Sequence, residues 1–267
     1  MKIPILCYHR VLGPNDVTPL TPTGFVSHIS IEQFTEQMDI LADNGMQAIT
    51  YEDFIDASAG RKKLPQRPVM IDFDDTRMVA FTNAWPIMKQ RGFVGTVFVI
   101  SDVADGIDSY MGPLKDFPGM TWDELKKLSD NGWCMGAHTK SHFWLIDLCE
   151  KKGIEAVQYE ILTGKERMEE MLGKPTRVFA YPGGMYNDEI EQIVKNNFAA
   201  NRIWFRDTVE IEYLIANSLH FDPAKVCDFS TSEYVTEDTD IYRLPCANIS
   251  CQTNQKDFEN WIKNAIE

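Results

Sequence analysis

The chain has no excess of basic residues, no long hydrophobic run and no paired-cysteine motif. Lys and Arg number 26 against 40 Asp and Glu, a formal net charge of −14. Over most of such a surface a nucleic-acid backbone or an anionic membrane would be repelled, so neither is expected as the main partner. Neutral or cationic substrates stay open. Six cysteines (Cys7, Cys134, Cys149, Cys227, Cys246 and Cys251) are scattered without a C-x-x-C pair, which fits reduced structural thiols better than a disulfide scaffold. The apolar run in "MKIPILCYHR" is short and leads into His and Arg rather than a small-residue cleavage site, and no stretch reaches membrane-spanning length. A cytoplasmic location is therefore expected. Also missing are H-E-x-x-H, G-x-S-x-G, a G-x-G-x-x-G opening a helix, G-x-x-x-x-G-K-[ST] and P-C-x-x-C, which excludes the usual zincin, serine-hydrolase, dinucleotide, P-loop and deaminase signatures.

What is present is 44% hydrophobic residues over 267 positions, enough for one substantial core. Short, nearly continuous apolar runs recur: "IPILCY", "QAIT", "RPVMIDF", "GTVFVI", "WCMGA", "RVFAY" and "FAANR". That is how parallel strands covered on both faces read. Helical patterns alternate with them over Ile31 to Asn44 (Ser30 as N-cap, Gly45 as stop), Phe81 to Gln90, Trp122 to Asn131 (Thr121 as cap with Glu124), Gly153 to Leu172, Asp188 to Asn196 and Lys256 to Ala265. The alternation predicts one domain over 1–267, a β/α barrel or an open parallel sheet. Asp105 to Gly119, rich in Gly, Pro and Asp, reads as a long loop and a candidate active-site wall; Arg206 to Asp240 has no clear period.

In such folds ligand chemistry gathers past the carboxyl ends of the strands. "IPILCY" is followed by His9, "VMIDF" by Asp74 and Asp75, "WCMGA" by His138 with His142 in "HTKSH", and "RVFAY" by Pro182, Gly183 and Gly184. Three of the five histidines fall in these positions; His28 and His220 are the others. The i, i+4 spacing of "HTKSH" would point two imidazoles the same way on a helical turn. Each signal alone suits a bland reading, such as a satisfied loop histidine or a helix-capping aspartate. Their coincidence at one rim does not. Two imidazoles and a carboxylate form a ligand set that leaves positions open on a divalent metal, and a second carboxylate held off the metal could take a proton from water. An imidazole across the site could protonate a leaving group, and a Gly-rich turn could offer N–H groups to an oxyanion. The inventory describes metal-assisted hydrolysis of an acyl bond.

The motifs "ILCYHRV", "IDFDDTR", "PIMKQRGFVGTVFV", "WDELKKLSDNGWCMGAHTKSH", "VFAYPGGMYNDEIEQIVKNNF" and "DIYRLP" come in an order that resembles the polysaccharide deacetylases with a NodB homology domain. The resemblance implies a distorted (β/α)7 barrel and removal of N-acetyl, less often O-acetyl, groups from sugars. It also implies roles: Asp74 as catalytic base, Asp75, His138 and His142 as metal ligands, and the Gly183 N–H, within a turn that includes Tyr181 and Pro182, as oxyanion donor. The N-terminal "YHR" is similar to that of the poly-N-acetylglucosamine deacetylase branch, which makes His9 the candidate general acid, with His220 as alternative. The chain departs from the family pattern at Thr76 (usually Gly), Phe143 (often Pro) and Ala180 (often the arginine that orients the base), and Arg202 is the candidate substitute for that arginine.

The expected cofactor is one divalent ion, Zn2+ first, with Co2+, Ni2+ or Fe2+ accepted by the same ligand types. The expected substrate is an N-acetylated sugar or oligosaccharide. Two competing readings are a cyclic-amide hydrolase of the allantoin-opening kind and a non-catalytic carbohydrate-binding barrel, in which aromatics such as Trp144 and Tyr186 would be exposed for stacking on sugar rings.

Overall fold

Strands that are apolar on both faces need cover on both faces, and the chain supplies it by curling one parallel sheet and wrapping it in helices. A computed structural model describes residues 1–16, 28–110, 112–116, 118–204, 229 and 232–267. β1 (Ile5–Tyr8) leads to a side ladder of β2 (Arg10–Leu12) and β3 (His28–Ser30), then α1 (Ile31–Asp43), β4 (Gln47–Ala48) and α2 (Tyr51–Ser58). Next come β5 (Pro68–Phe73), a π-helical turn (Ala80–Ala84) running into α3 (Trp85–Gln90), β6 (Thr96–Val99), α4 (Ser101–Ala104), α5 (Trp122–Asp130) and β7 (Cys134–Ala137). The chain continues through α6 (Leu145–Lys152), α7 (Ile154–Leu172), β8 (Val178–Ala180), α8 (Asp188–Asn197), β9 (Ala200–Arg202), β10 (Ala247–Asn248) and α9 (Gln255–Ile266).

The main sheet runs β10-β1-β5-β6-β7-β8-β9, with β4 paired to β5 off this path, and each of these pairings is parallel. Past β9 the ladder continues into the approach to β10: Arg202 bridges Leu244, and the Ile203 N–H donates to the Leu244 carbonyl at 2.9 Å. This is the distorted (β/α)7-type barrel that the motifs imply. Period-two alternation divides the side chains between its faces. Leu6, Tyr8, Val69, Ile71, Phe73, Val97, Val99 and Phe179 join the large cluster under the helices. Ile5, Cys7, Met70, Phe98, Val178, Ala180, Ala200 and Cys246 form a second cluster on the concave side. By the same alternation Asp72, Asp74 and Arg202 belong to the concave set. No helix among the described residues is long and apolar enough to cross a membrane.

The expected caps at Ser30 and Thr121 are present, each closing a capping box with Gln33 and Glu124. Three helices went unpredicted: the single turn α4, α6, and α2, whose signal was available as Thr50 three residues before Asp53, also a capping box. The helix expected from Phe81 begins instead as a π-turn. Pro86 has no N–H to donate to Thr82, and the Trp85 N–H reaches back to Ala80, so the first turn widens.

Candidate active site

The carboxyl ends of β1, β5, β7, β8 and β9 deliver their polar groups to one place. The ladder extends one residue beyond the strands there: the Asp74 N–H donates to the Tyr8 carbonyl and the His138 N–H to the Val99 carbonyl, both at 2.9 Å. Asp74 and His138 are thereby aimed by sheet hydrogen bonds. Residues 205–228 lie outside the described structure, and so does the alternative acid, His220.

The aspartate side is held by charge. Arg202 is 1% exposed, and its Nη2 donates to both Asp74 oxygens, at 2.8 and 2.7 Å. Its Nη1 points at Cys246 Sγ (3.2 Å) and Cys7 Sγ (3.5 Å), and its Nε lies 3.4 Å from Asp72 Oδ2. Burial alone would raise the pKa of Asp74, but the Arg202 guanidinium together with His9 and His138 outweighs it and keeps the carboxyl below its ordinary range. Asp72 has a weaker share of Arg202, so burial wins there and its pKa is pushed well up, with the Tyr51 hydroxyl donating to Oδ2 at 2.7 Å. Arg202 pairs with Ala180 across β8 and β9, so the guanidinium enters from the strand beside the position where the family pattern carries its arginine. The His9 Nε2 lies 3.8 Å from Asp74 Oδ2, and burial lowers its pKa against the raising pull of Asp75 and Asp74.

Asp75 takes a different counter-ion. The Arg77 Nη2 donates to its Oδ2 at 3.2 Å. Despite the opposing effect of burial, Arg77 and His142 hold this carboxyl well below the ordinary range. The sequence alone singles out neither Arg77 nor Tyr51. The only cue for Arg77 is its position directly after the aspartate turn.

The histidine side is held by hydrogen-bond acceptors rather than by cations. The Ala180 carbonyl can only accept, so His138 Nδ1 carries the proton in their 2.7 Å bond and Nε2 presents a lone pair. Burial first, then the neighbouring His142, pushes the His138 pKa down to about 4, so the ring is neutral near pH 7. His142 Nε2 lies 3.2 Å from His138 Nε2 and 3.3 Å from Asp75 Oδ1, and His138 Nε2 is 3.7 Å from the same oxygen. A lone pair facing a second imidazole nitrogen and an ionised carboxylate, all buried, is a donor set suited to a divalent cation. The residues fit such an ion.

These two histidines do not meet on a helical turn, as the i, i+4 spacing suggested. "HTKSH" is a loop between β7 and α6, bent by left-handed backbone at Thr139 (φ 67°) and His142 (φ 65°). The His142 N–H donates to Thr139 Oγ1 at 3.0 Å, and Glu160 on α7 takes both the Ser141 N–H (2.9 Å) and its hydroxyl (2.7 Å). Asp75 (φ 70°) and Thr76 (φ 58°) are left-handed too, and with Thr139 and His142 they are the non-glycine residues of positive φ among those described. Such strain gathers where the surroundings over-determine it. It also explains why the family prefers Gly at position 76. Thr76 offsets its cost by accepting the Ile100 N–H at 2.7 Å on Oγ1.

The turn after β8 is a single 3₁₀ turn, Pro182–Gly184, with Gly183 at φ 61°. A Cβ there would sit 2.9 Å from the Trp144 indole nitrogen, so only glycine fits beneath that ring. Tyr181 is stacked on Tyr186 at 4.5 Å between ring centroids, and both are buried. Tyr186 is therefore not the exposed aromatic expected from its position; packing on Tyr181 and the chain's turn into α8 take it inside. Trp144 is half-buried.

Against known sequences, the family model described as polysaccharide deacetylase matches residues 61–198, which is 138 of the 267 positions. The chain belongs to the polysaccharide deacetylase family. Within it, the chain is 26% identical over 188 residues to YxkH of Bacillus subtilis, covering 70% of this chain and 59% of that protein. It is 26% identical over 172 residues to a poly-β-1,6-N-acetyl-D-glucosamine N-deacetylase of Staphylococcus aureus, covering 62% and 57%. This deacetylase-family chain thus spans under two thirds of the length of these relatives. In structure it is similar to the Streptococcus pyogenes deacetylase PplD, with a TM-score of 0.72 at 20% identity, covering 100% of this chain and 99% of that one. The family match takes in Asp74, Asp75, His138, His142 and Gly183, whereas His9 and Arg202 fall outside it.

Proposed function

We propose that the protein is a metal-dependent hydrolase that removes N-acetyl groups from an acetylated amino sugar or glycan. The observation that carries this reading is the separation of two adjacent carboxylates. Asp75 turns to the two imidazoles, while Asp74 is held off them on Arg202. One carboxylate is thus a ligand and its neighbour is kept ionised for proton transfer.

A divalent ion on Asp75, His138 and His142, most simply zinc, would supply a Lewis acid and lower the pKa of water toward neutrality. Asp74 takes the proton of the attacking water, and Arg202 fixes the orientation in which it does so. The left-handed turn presents the Gly183 N–H to the developing oxyanion. His9, beside Asp74, donates the proton that lets the amine leave. The printed activity of the Staphylococcus aureus relative supports an N-acetylglucosamine polymer as substrate class.

Asp74→Asn tests the assignment. It is expected to keep metal by elemental analysis while losing ~10² to 10⁴ in turnover on N-acetylglucosamine oligomers, the usual worth of a general base. Unchanged turnover would remove Asp74 from the mechanism.

A further inference from the structure

Two large apolar side chains that remain about half exposed, Ile107 and Tyr110 (51% each), lie in one segment, 105–119. That segment is tied to both halves of the site. The Met78 N–H donates to the Pro118 carbonyl at 2.9 Å and the Met120 N–H to the Thr76 carbonyl at 2.8 Å, which fixes one end beside the aspartate turn. The Tyr110 N–H donates to the Ser141 carbonyl at 2.9 Å, which fixes the other beside the histidine loop. The loop expected as an active-site wall spans the two sets of candidate ligands.

At the tip of this wall the rings are contiguous. Tyr110 lies 5.0 Å from Phe143 and 6.5 Å from Trp144, centroid to centroid. Phe143 follows His142 directly, and the Trp144 indole stands over Gly183. Three aromatics therefore run from open solvent to the oxyanion turn. Single exposed apolar residues need no explanation, but a connected set ending at a catalytic rim marks a binding surface. Phe143 and Trp144 are half-buried, held in place from below while leaving surface uncovered. Flat rings so held suit a ligand with apolar C–H faces and polar edges, because the rings take the faces while the hydroxyl groups remain in water. A pyranose ring has that form.

We propose that Tyr110, Phe143 and Trp144 form a platform for a second sugar ring, the residue of the glycan next to the one that loses its acetyl group. The proposal rests on the deacetylase reading above. Contacts with a ring remote from the reacting carbonyl supply binding energy that orients the scissile group, so longer substrates are favoured over a lone sugar.

The test compares kcat/KM on the N-acetylglucosamine pentamer with that on the monosaccharide, for the wild type, Tyr110→Ala, Phe143→Ala and Tyr110→Trp. The wild type is expected to prefer the pentamer. Each alanine variant is expected to lower the pentamer-to-monosaccharide ratio about tenfold, mainly through KM, and Tyr110→Trp to retain it. A ring that merely braces the 105–119 segment would lower both substrates in parallel, and that result overturns the platform. So does a wild type that turns over both lengths equally well. Absence of turnover on either length overturns the deacetylase reading, and the platform with it.

Discussion

The two halves of the site solve one problem by opposite means. Each presents candidate ligand atoms from backbone bent into the left-handed region, Asp75 and Thr76 after β5, Thr139 and His142 after β7. On the aspartate half the holding groups are charged: Arg202 on Asp74 and Arg77 on Asp75. On the histidine half they are a carbonyl, a hydroxyl and a helix-borne carboxylate: Ala180, Thr139 and Glu160. Carboxylates in a buried place must be kept ionised, which takes cations. Imidazoles must be kept neutral and in one tautomer, which takes an acceptor for the far nitrogen and a low dielectric.

The largest effect that would break this contrast is loss of Arg202. Arg202→Met leaves Asp74 and Asp72 buried without their cation, and a broken buried pair costs about 3–5 kcal/mol. Urea unfolding should show that loss, and a variant as stable as the wild type would mean that charge does not hold the aspartate half.

The next effect belongs to the histidine half and to pH. In protein stripped of metal by a chelator, His138 titrates near pH 4 when folded and near 6.5 when unfolded. As pH falls, the unfolded chain takes up the proton first, so the contribution to stability is complete above about pH 6.5 and is lost toward pH 4. The gap is worth about 3 kcal/mol at most. Thermal melts of the chelated protein across that window should record the decline, and a flat profile would contradict a neutral, buried His138.

A smaller effect sharpens the comparison. Glu160→Gln puts an amide donor where the Ser141 N–H and hydroxyl now find acceptors, and it should loosen the histidine loop while sparing Arg202 and Asp74. Partners one step behind a metal ligand are commonly worth ~10- to 100-fold in affinity. Competition with a chromophoric chelator would measure it, and an unchanged zinc affinity would show that α7 does not position the loop.

Much of this was legible in the residues. Nearly continuous runs such as "VMIDF" announced buried parallel strands, and the polar residues after them announced the rim, because strand ends and active sites coincide in this architecture for topological reasons. Long-range partners were the hidden part. Nothing near Asp72 in the sequence says that the Tyr51 hydroxyl donates to it, and nothing near Ser141 points to Glu160, which arrives on a helix packed from elsewhere. The spacing in "HTKSH" was informative but misleading as to form: it reports two imidazoles brought together, and a loop with left-handed residues does that as well as a helix. Tyr186 misled for a similar reason, since proximity to the site along the chain says little about which way a ring turns.

The register of β8 and β9 leaves a lesson for anyone searching genomes. A linear pattern that demands arginine at the start of the third motif would discard this chain, because Ala180 stands there. A spatial template asking only for a guanidinium on the first aspartate of the pair would retain it, since Arg202 is Ala180's neighbour across the ladder. For chains set aside as degenerate on one missing letter, the adjoining strand is the place to search for the lost charge.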